Sequence, residues 1–181
     1  MLKKYRHAPA HLFLNNTPYF ITGAIYLKKH LLQASATKSM LLETIRHIFN
    51  RYRWELHHQV ILHNHYHLMG KSRNGKDLSK IIRSIHSISA IEIRKVTEYD
   101  LNVWWNYWDY CPRDVVDYYN HLNYMFYNPI KHGLVKNLRE YPFSSFIELY
   151  ENVGREKLAL QFSEYPDYRT MALDRSEQDN F

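Results

Sequence analysis

Two segments with the pattern of strands, separated by a short polar stretch, lie in the middle of the chain. The first covers residues 54–62 and ends in Val60-Ile61-Leu62, and the second covers residues 65–70. Runs of β-branched and aromatic residues of this length predict two neighbouring strands, and the uninterrupted apolar run indicates a buried, central position. The chain therefore has to fold around a sheet that other elements cover.

The remaining patterns alternate between strand and helix. A first strand is predicted over residues 19–26 and a fourth over 103–110, while apolar residues at helical spacing occur in 39–52, 78–88 and 114–126. The order strand, helix, two strands, helix, strand, helix is packed most simply with helices on one face of a mainly antiparallel sheet. The sequence thus predicts an α+β, ferredoxin-like fold.

Length and charge divide the chain into a basic body and an acidic end. A chain of 181 residues suits one domain, assigned to residues 1–150, with a loosely attached acidic tail at 151–181. Residues 151–181 contain four basic and seven acidic residues, a net charge of −3, which leaves +9 on residues 1–150 in a chain of net charge +6. A basic body favours a polyanionic partner, although charge alone is equally compatible with a basic protein that has none.

The expected compartment follows from what the sequence lacks. Cys111 is the only cysteine, which excludes an intramolecular disulfide and a cysteine-based zinc cluster and suits a reducing compartment. Residues 1–10 are charged and do not predict a signal peptide, and no apolar run approaches membrane-spanning length. We expect a cytoplasmic protein without a membrane partner.

Candidate contacts to nucleic acid come from cations on one helix and from aromatic side chains. The chain has 16 tyrosines and 4 tryptophans, and aromatic faces stack on unpaired bases. A solvated helix face and packing in the core are the alternatives for these residues. The candidates are Lys76, Lys80, Arg83, Arg94 and Lys95 for phosphates, and Trp104 and Trp105 for bases.

A histidine pair marks one face of the third predicted strand. Because side chains alternate along a strand, His65 and His67 point to one face while Tyr66 and Leu68 point to the other. Two imidazoles about 7 Å apart along a strand can converge on one divalent ion, with His63 as a third ligand or an outer contact. Surface histidines on a polar sheet face are the alternative.

A polar helix face combines a tyrosine, an asparagine and a histidine. Tyr124 and Asn128 are four residues apart and lie one helical turn apart on the same side, where His121 and Asp117 also fall. A phenol titrates near pH 10 or so, and it needs help, such as a nearby divalent ion, to attack a phosphate. The alternative is a structural Tyr124, with other tyrosines such as Tyr127 equally good nucleophiles.

Together these features resemble the HUH nuclease superfamily in its single-tyrosine, IS200-like transposase branch. His65-Tyr66-His67, preceded by Asn64, is similar to the histidine–hydrophobic–histidine motif, and residues 124–129 are similar to the motif Tyr-Ile-x-x-Asn-Pro. Residues 133–135 and 141–145 also resemble the stretches that follow in the REP-associated tyrosine transposases. The likeness extends from the first strand to about residue 146.

The resemblance implies a metal-dependent endonuclease and strand transferase that acts on single-stranded DNA at or near hairpins. It implies that His65, His67 and Asn128 hold one Mg or Mn ion, with His63 and His121 as candidate contacts behind these ligands. Tyr124 is then the nucleophile, which forms a 5′-phosphotyrosine link and releases a 3′-hydroxyl. Relatives occur as monomers and dimers, so a homodimer is one of two expected states.

Three departures from the family pattern qualify this expectation. His63 stands where proline is common, Asn123 stands where arginine is common, and the tryptophan-rich residues 104–108 are only loosely similar. A domesticated protein that recognises a DNA hairpin without cutting it is one alternative. A metal phosphodiesterase in which water attacks is the other, and covalent chemistry at Tyr124 separates the three.

Overall fold

The computed structural model describes residues 13–171, in which a four-stranded sheet is combined with five α-helices. Residues 1–10, for which no signal peptide is predicted, lie outside the described residues. The last ten residues of the predicted tail, 172–181, also lie outside them. In chain order the elements are β1 (Pro18–Ile25), α1 (Ser35–Arg51), β2 (Glu55–Ile61), β3 (His65–Lys71), α2 (Leu78–Thr97), β4 (Trp104–Tyr110), α3 (Val115–Lys131), α4 (Phe146–Val153) and α5 (Arg155–Glu164).

The sheet is antiparallel throughout and has the strand order β2-β3-β1-β4. The predicted α+β class and the predicted order of strands and helices are therefore confirmed. β3 is an inner strand, paired with β2 on one side and with β1 on the other. This register places Thr22 of β1 directly beside His67 of β3.

Two helices cover the first face of the sheet, as predicted. α1 and α2 pack on β1 and β3 through a core that includes Tyr19, Ile21 and Tyr66. At Gly23 an added Cβ would lie 2.4 Å from Cζ of Tyr66, so only glycine leaves room for this ring. Because Gly23 has no side chain, the Tyr66 ring packs directly against the backbone of β1 on this face.

The third long helix lies on the opposite face, so the prediction that the helices lie on one face is wrong for α3. Leu122, Met125 and Phe126 of α3 pack with Phe20 and Met69 of the sheet. Alternation along β3 gives this same face to His65 and His67. The helix that carries Tyr124 and the strand that carries the histidine pair are therefore brought together.

The segment after residue 150 is packed against α3 in its described part, whereas the sequence predicts a loose attachment. Leu158 of α5 and Tyr168 are buried in the core that α3 forms with the sheet. Asn123 and Asn120 of α3 also hydrogen-bond to residues of this segment. The loose attachment is wrong for residues 155–171, while the domain limit at residue 150 stays a prediction. Among residues 13–171, no helix has both the length and the apolar character needed to cross a membrane.

Candidate functional site

The histidine pair occupies the centre of the face that α3 covers. His65 is 4% exposed and His67 is 0% exposed, and their ring centroids are 4.9 Å apart. Tyr66 and Leu68 belong to the core on the other face, as the alternation of the strand predicts. The two imidazoles thus converge in a buried setting rather than standing on an open, polar sheet surface.

Hydrogen bonds at Nδ1 orient both imidazoles. Nδ1 of His67 is bonded to Oγ1 of Thr22 at 2.7 Å, and Nδ1 of His65 is bonded to Oδ1 of Asn64 at 2.7 Å. The amide nitrogen of Asn64 donates to the carbonyl of Lys28, so its oxygen is the atom that faces His65. Because an amide oxygen only accepts, Nδ1 of His65 carries the proton and the ring's lone pair lies at Nε2.

Asn128 is held in a similar way by its amide nitrogen. The side chain is fully buried, and Nδ2 donates to the carbonyl of Tyr124 at 2.8 Å, one turn earlier in α3. Oδ1 is buried and receives no hydrogen bond from the residues that the structure describes. A buried acceptor without a donor is costly in a folded protein, and a bound cation removes that cost.

Two ring contacts show how α3 lies over β3. The ring of Tyr124 has its centroid 5.6 Å from that of His67, and the ring of His132 has its centroid 5.0 Å from that of His65. Asn128 is four residues from each of these contacting residues, so it lies between them on the same side of the helix. The amide, the phenol and the histidine pair therefore belong to one site.

The other tyrosines of α3 point elsewhere. The ring of Tyr127 contacts Tyr168, at a centroid distance of 5.3 Å. Tyr119 stacks on Tyr165 at 4.9 Å, and Tyr118 packs edge-on against Tyr119. The sequence left these tyrosines open as alternatives to Tyr124, and the structure places them against the C-terminal segment or one another instead of against the histidine pair.

The phenol of Tyr124 lies in a largely buried position beside a lysine. Its side chain is 1% exposed, and its ring packs edge-on against Phe20. The ammonium of Lys131 donates to the phenol oxygen at 3.4 Å and lies 5.1 Å from the ring centroid. Lys131 itself is exposed, so its positive charge lies on the solvent side of the phenol.

His121 and His63 occupy outer positions. The ring of His121 stacks on Tyr110 and is separated from His67 by Phe20, whose centroid lies 5.2 Å from that of each imidazole. Burial lowers the pKa of His121, although its bonds to Asp117 act in the opposite direction. His63 lies in the turn between β2 and β3, next to His30. Partial burial, followed by the charge of a nearby lysine, lowers the pKa of His63.

Asp117 is the carboxylate that faces His121. Burial alone would raise its pKa, but the net shift is downward because the hydroxyl of Tyr110 and the backbone of Arg113 donate to it. Nδ1 of His121 lies 3.1 Å from Oδ1 of Asp117. Asp117, His121 and Tyr110 thus connect the N-terminal half of α3 to β4. Phe20 separates them from the histidine pair.

The donor set fits a single divalent cation. Imidazole nitrogens and an amide oxygen are ligands for Mn²⁺ and related ions, and Mg²⁺ tolerates them with water completing its shell. Within residues 13–171, no group of three His, Cys, Asp or Glu side chains is arranged to hold a metal. The candidate site differs from such a cluster because its third donor is the amide of Asn128.

The cations predicted to contact phosphates lie on the far side of the sheet from Tyr124. They belong to α2 or to the turn before it, and α2 packs on the first face. Lys80 pairs with Asp77, Lys95 pairs with Glu92, and Arg94 donates to the carbonyl of Leu101. The remaining members, Lys76 and Arg83, are exposed.

The two tryptophans have different surroundings. Trp104 stacks on His86 at a centroid distance of 4.2 Å and donates from its indole nitrogen to Ser89, on the first face. Trp105 is 42% exposed and contacts Tyr26. Trp104 is thus a packing residue, whereas Trp105 keeps a surface on which a base could stack.

Three contributors to the site were not identified from the sequence. Thr22, Lys131 and His132 reach the histidine pair or Tyr124 through strand register and helix docking. The spacing of Lys131 and His132 from Asn128, three and four residues, offered a signal for the helix pair. Thr22 had none, because its role depends on which residue of β3 it faces.

Asn123, which departs from the arginine common in the family, has a structural task. It is fully buried, accepts from the side chain of Gln161 at 2.6 Å and donates to the carbonyl of Tyr165 at 3.0 Å. An arginine could not form this buried network without exposing its charge to the core. The departure therefore accompanies the docking of α5 in this chain.

Comparison with known proteins identifies the family. The family model described as transposase IS200-like matches residues 17–111, which include β1, the histidine pair and β4. This segment is more than half of the chain, and the chain belongs to the IS200-like transposase family. The resemblance predicted from the sequence is thus confirmed.

Relatives extend the similarity beyond that segment. A Haemophilus influenzae protein assigned as a REP-associated tyrosine transposase is 29% identical over 145 residues, covering 70% of this chain and 82% of its own length. The REP-associated tyrosine transposase of Escherichia coli K12 is 41% identical over 46 residues, which are 25% of this chain and 28% of that protein. A solved structure of a REP-associated tyrosine transposase bound to a REP hairpin has a TM-score of 0.64 and 25% identity, covering 81% of this chain and 84% of the other.

Proposed function

We propose that this chain is a metal-dependent single-stranded DNA endonuclease and strand transferase that works through a 5′-phosphotyrosine intermediate at or near DNA hairpins. Membership of the IS200-like transposase family and the hairpin bound by a similar protein support this proposal. The observation that carries it is the position of the Tyr124 phenol. Its ring contacts the His67 imidazole, and Asn128 lies one turn further along the same helix face.

His65, His67 and Asn128 are the residues that would hold one Mg or Mn ion. The bonds at Nδ1 of the two imidazoles direct Nε2 to the site, and the bond from Nδ2 of Asn128 directs Oδ1 there. When bound, a divalent ion at this position neutralises charge on the scissile phosphate. Thr22 and Asn64 keep the two rings oriented in readiness for it.

Tyr124 supplies the nucleophile in this mechanism. Its phenol gives its proton to water as the phenol oxygen forms a bond to phosphorus, the bond from phosphorus to the 3′-oxygen breaks, and the leaving 3′-oxygen takes up a proton from water. The Lys131 ammonium beside the phenol oxygen stabilises the phenolate as the proton leaves and again when the link is reversed. Attack by another 3′-hydroxyl restores the phosphodiester and joins strands.

The cations of the α2 region have a separate proposed role. Since Lys76, Lys80 and Arg83 are exposed on the first face, they are placed to contact DNA remote from the cleaved phosphate. Arg94 and Lys95 continue this series toward the end of α2. Trp105, which is half exposed at β4, is the proposed stacking residue.

A covalent adduct assay tests the proposed function. The full chain is incubated with a labelled DNA hairpin carrying single-stranded extensions, with Mn²⁺ or Mg²⁺, and resolved on a denaturing gel. We expect an adduct with the unmodified protein and with Tyr127→Phe, whose ring faces Tyr168, and none with Tyr124→Phe. Chelation of the metal should also remove it.

Two outcomes would contradict this assignment. Hairpin binding without an adduct under either metal would favour a DNA-binding protein that does not cut. Cleavage that persists in Tyr124→Phe but is lost in His65→Ala would favour a phosphodiesterase in which water attacks.

A further inference from the structure

A positively charged cleft lies at the C-terminal end of α3. It has a volume of about 580 Å³, which is within the usual range of ligand sites, roughly 300–1,000 Å³. Three cations line it together with a tyrosine and a phenylalanine, and none of its lining residues, all within the described chain, is acidic. The lining residues are Ile130, Lys136, Asn137, Leu138, Arg139, Phe146, Tyr150 and Arg155.

The cations converge from two separate parts of the fold. Lys136 follows the turn at Gly133, Arg139 lies in the short 3-10 helix Leu138–Glu140, and Arg155 begins α5. The backbone at Gly133 has a φ of 67°, which ends α3 and turns the chain back toward the cleft. Two different segments of the chain thus present like charges to one concavity, which an anion would stabilise.

One of these cations is already held in place. The guanidinium of Arg139 lies 5.0 Å from the ring centroid of Tyr150, so a cation–π contact restricts its orientation. Lys136 and Arg155 are exposed, and both can reach a ligand in the cleft without breaking a contact within the fold. A planar guanidinium positioned in advance is well suited to bind a phosphate through two donors.

We infer that this cleft binds backbone phosphates of the unpaired DNA strand next to the cleaved phosphate. This inference rests on the proposed function, since that function supplies a single strand at Tyr124. The cleft is lined by Ile130 in the last turn of α3, the turn that also carries Lys131, so a strand whose phosphate reaches the phenol would pass round this end of the helix to enter it. The α2 cations cannot serve this purpose, because the sheet separates them from Tyr124.

The test compares DNA binding by charge variants of the full chain. Lys136→Ala, Arg139→Ala and Arg155→Ala are combined in one protein. Arg46→Ala, Arg51→Ala and Arg73→Ala form a control with the same change in charge at exposed positions outside the cleft. Binding of a fluorescent hairpin with a single-stranded extension, and of the same hairpin without it, is measured by anisotropy at several salt concentrations without added metal.

For the cleft variant, we expect the dissociation constant for the extended hairpin to rise by on the order of tenfold at low salt, with the blunt hairpin and the control little changed. The slope of log affinity against log salt should become shallower by about 2, since each single-strand phosphate contact contributes about 0.7. A second variant, Lys136→Gln with Arg155→Gln, keeps the Arg139–Tyr150 contact and guards against a folding defect. It should show a smaller change in the same direction.

Unchanged affinity and slope in both variants would overturn the inference, as would an equal loss for the blunt hairpin, which would assign the cleft to duplex DNA. Because binding is measured without metal, its result is independent of covalent chemistry. Failure of the adduct assay would remove the proposed function while leaving the binding result intact. Failure of the binding assay would remove the cleft while leaving the adduct intact.

Discussion

Single side chains decide which atoms of the candidate site would face a cation. Asn64 and Thr22 engage Nδ1 of the two imidazoles, and the carbonyl of Tyr124 engages Nδ2 of Asn128. These bonds leave Nε2 of each imidazole and Oδ1 of Asn128 as the atoms that would bind the cation. None of these three proposed ligands is a carboxylate. A site of this kind depends on orientation more than on Coulomb attraction, so each orienting bond matters for affinity.

Replacement of Asn128 tests the amide ligand. In Asn128→Ala we expect affinity for Mn²⁺ to fall by at least about tenfold, as judged from losses at metal sites, with little change in melting temperature. Isothermal titration calorimetry and circular dichroism provide the two readouts. Asn152→Ala, at an exposed position on α4, is the matched control. An unfolded Asn128→Ala protein would count against the ligand role and favour a structural one.

Replacement of Asn64 tests the orientation of His65. The Asn64→Ala protein should keep all three proposed ligands and bind Mn²⁺ roughly tenfold more weakly, because the His65 ring loses the partner that fixes its proton at Nδ1. The adduct should form more slowly at subsaturating metal and recover at high metal. A loss that no metal concentration restores would show that Asn64 acts in another way.

At the scale of elements, α3 connects the site to the C-terminal segment. One side carries Tyr124 and Asn128 toward β3, and another carries Asn120 and Asn123 toward α5 and the turn that follows it. Loosening of α5 would therefore leave α3 less firmly held while the histidine pair stays fixed in the sheet. The docking of α5 is thus expected to affect the position of the phenol.

The Asn123→Ala variant tests this docking. Loss of the amide leaves the side chain of Gln161 and the carbonyl of Tyr165 without their partner, which should cost about 1–3 kcal/mol of stability. Hydrogen exchange measured by mass spectrometry should become faster in residues 155–168 than in β3. Protection that falls equally across the whole chain would mean that α5 does not unfold separately.

The sequence predicted the sheet and its helices because their periodicities are strong and local. His65 and His67 share a face as the two-residue period of a strand requires, and Tyr124 and Asn128 share a helix side. The end of α3 was less accessible, since the helix continues past Pro129 to Lys131, whereas the apolar residues at helical spacing end at Phe126. Because Pro129 lacks the N–H that would bond to the carbonyl of Met125, the local pattern favours a helix that ends before it.

The docking of the C-terminal segment was not predictable from local pattern. Leu158 and Tyr168 are buried only because α3 offers them a surface, and their own spacing is not periodic enough to indicate it. The same holds for Thr22 and for the cleft, whose cations come together from separate segments. Contacts of this type depend on tertiary register, which a single sequence does not display.

At the scale of the whole molecule, the two faces of the sheet have different tasks. One face carries α3 and the candidate site, and the other is a packed core with a partly buried imidazole beside it. His86 is hydrogen-bonded to the Tyr66 hydroxyl at 3.0 Å and stacks on Trp104, and burial lowers its pKa to about 3. His86 can become charged only if its imidazole takes up a proton while it is packed in this environment.

Acid should therefore destabilise the fold through His86. The folded pKa lies below the unfolded value of about 6.5, so the stabilisation is complete above that pH and is lost as the pH falls toward about 3. Between pH 7 and 5 the expected loss from this residue is about 2 kcal/mol in the free energy of unfolding. Urea titrations of His86→Gln should show a correspondingly smaller loss.

His47→Gln, at an exposed position on α1, is the control for the acid titration and should follow the unmodified protein. His58, whose pKa burial lowers to about 4, contributes in the same direction to all three proteins and cancels in the comparison. An unchanged pH dependence in His86→Gln would mean that His86 is not held neutral in the fold.

The location of bound manganese tests the central claim most directly. Crystals of the full chain grown with MnCl₂ would be measured for anomalous scattering near the manganese absorption edge. We predict one strong peak between Nε2 of His65, Nε2 of His67 and Oδ1 of Asn128, beside the Tyr124 phenol, and its loss in His67→Ala. A peak bound elsewhere, or none at the histidine pair despite saturating Mn²⁺, would contradict the account.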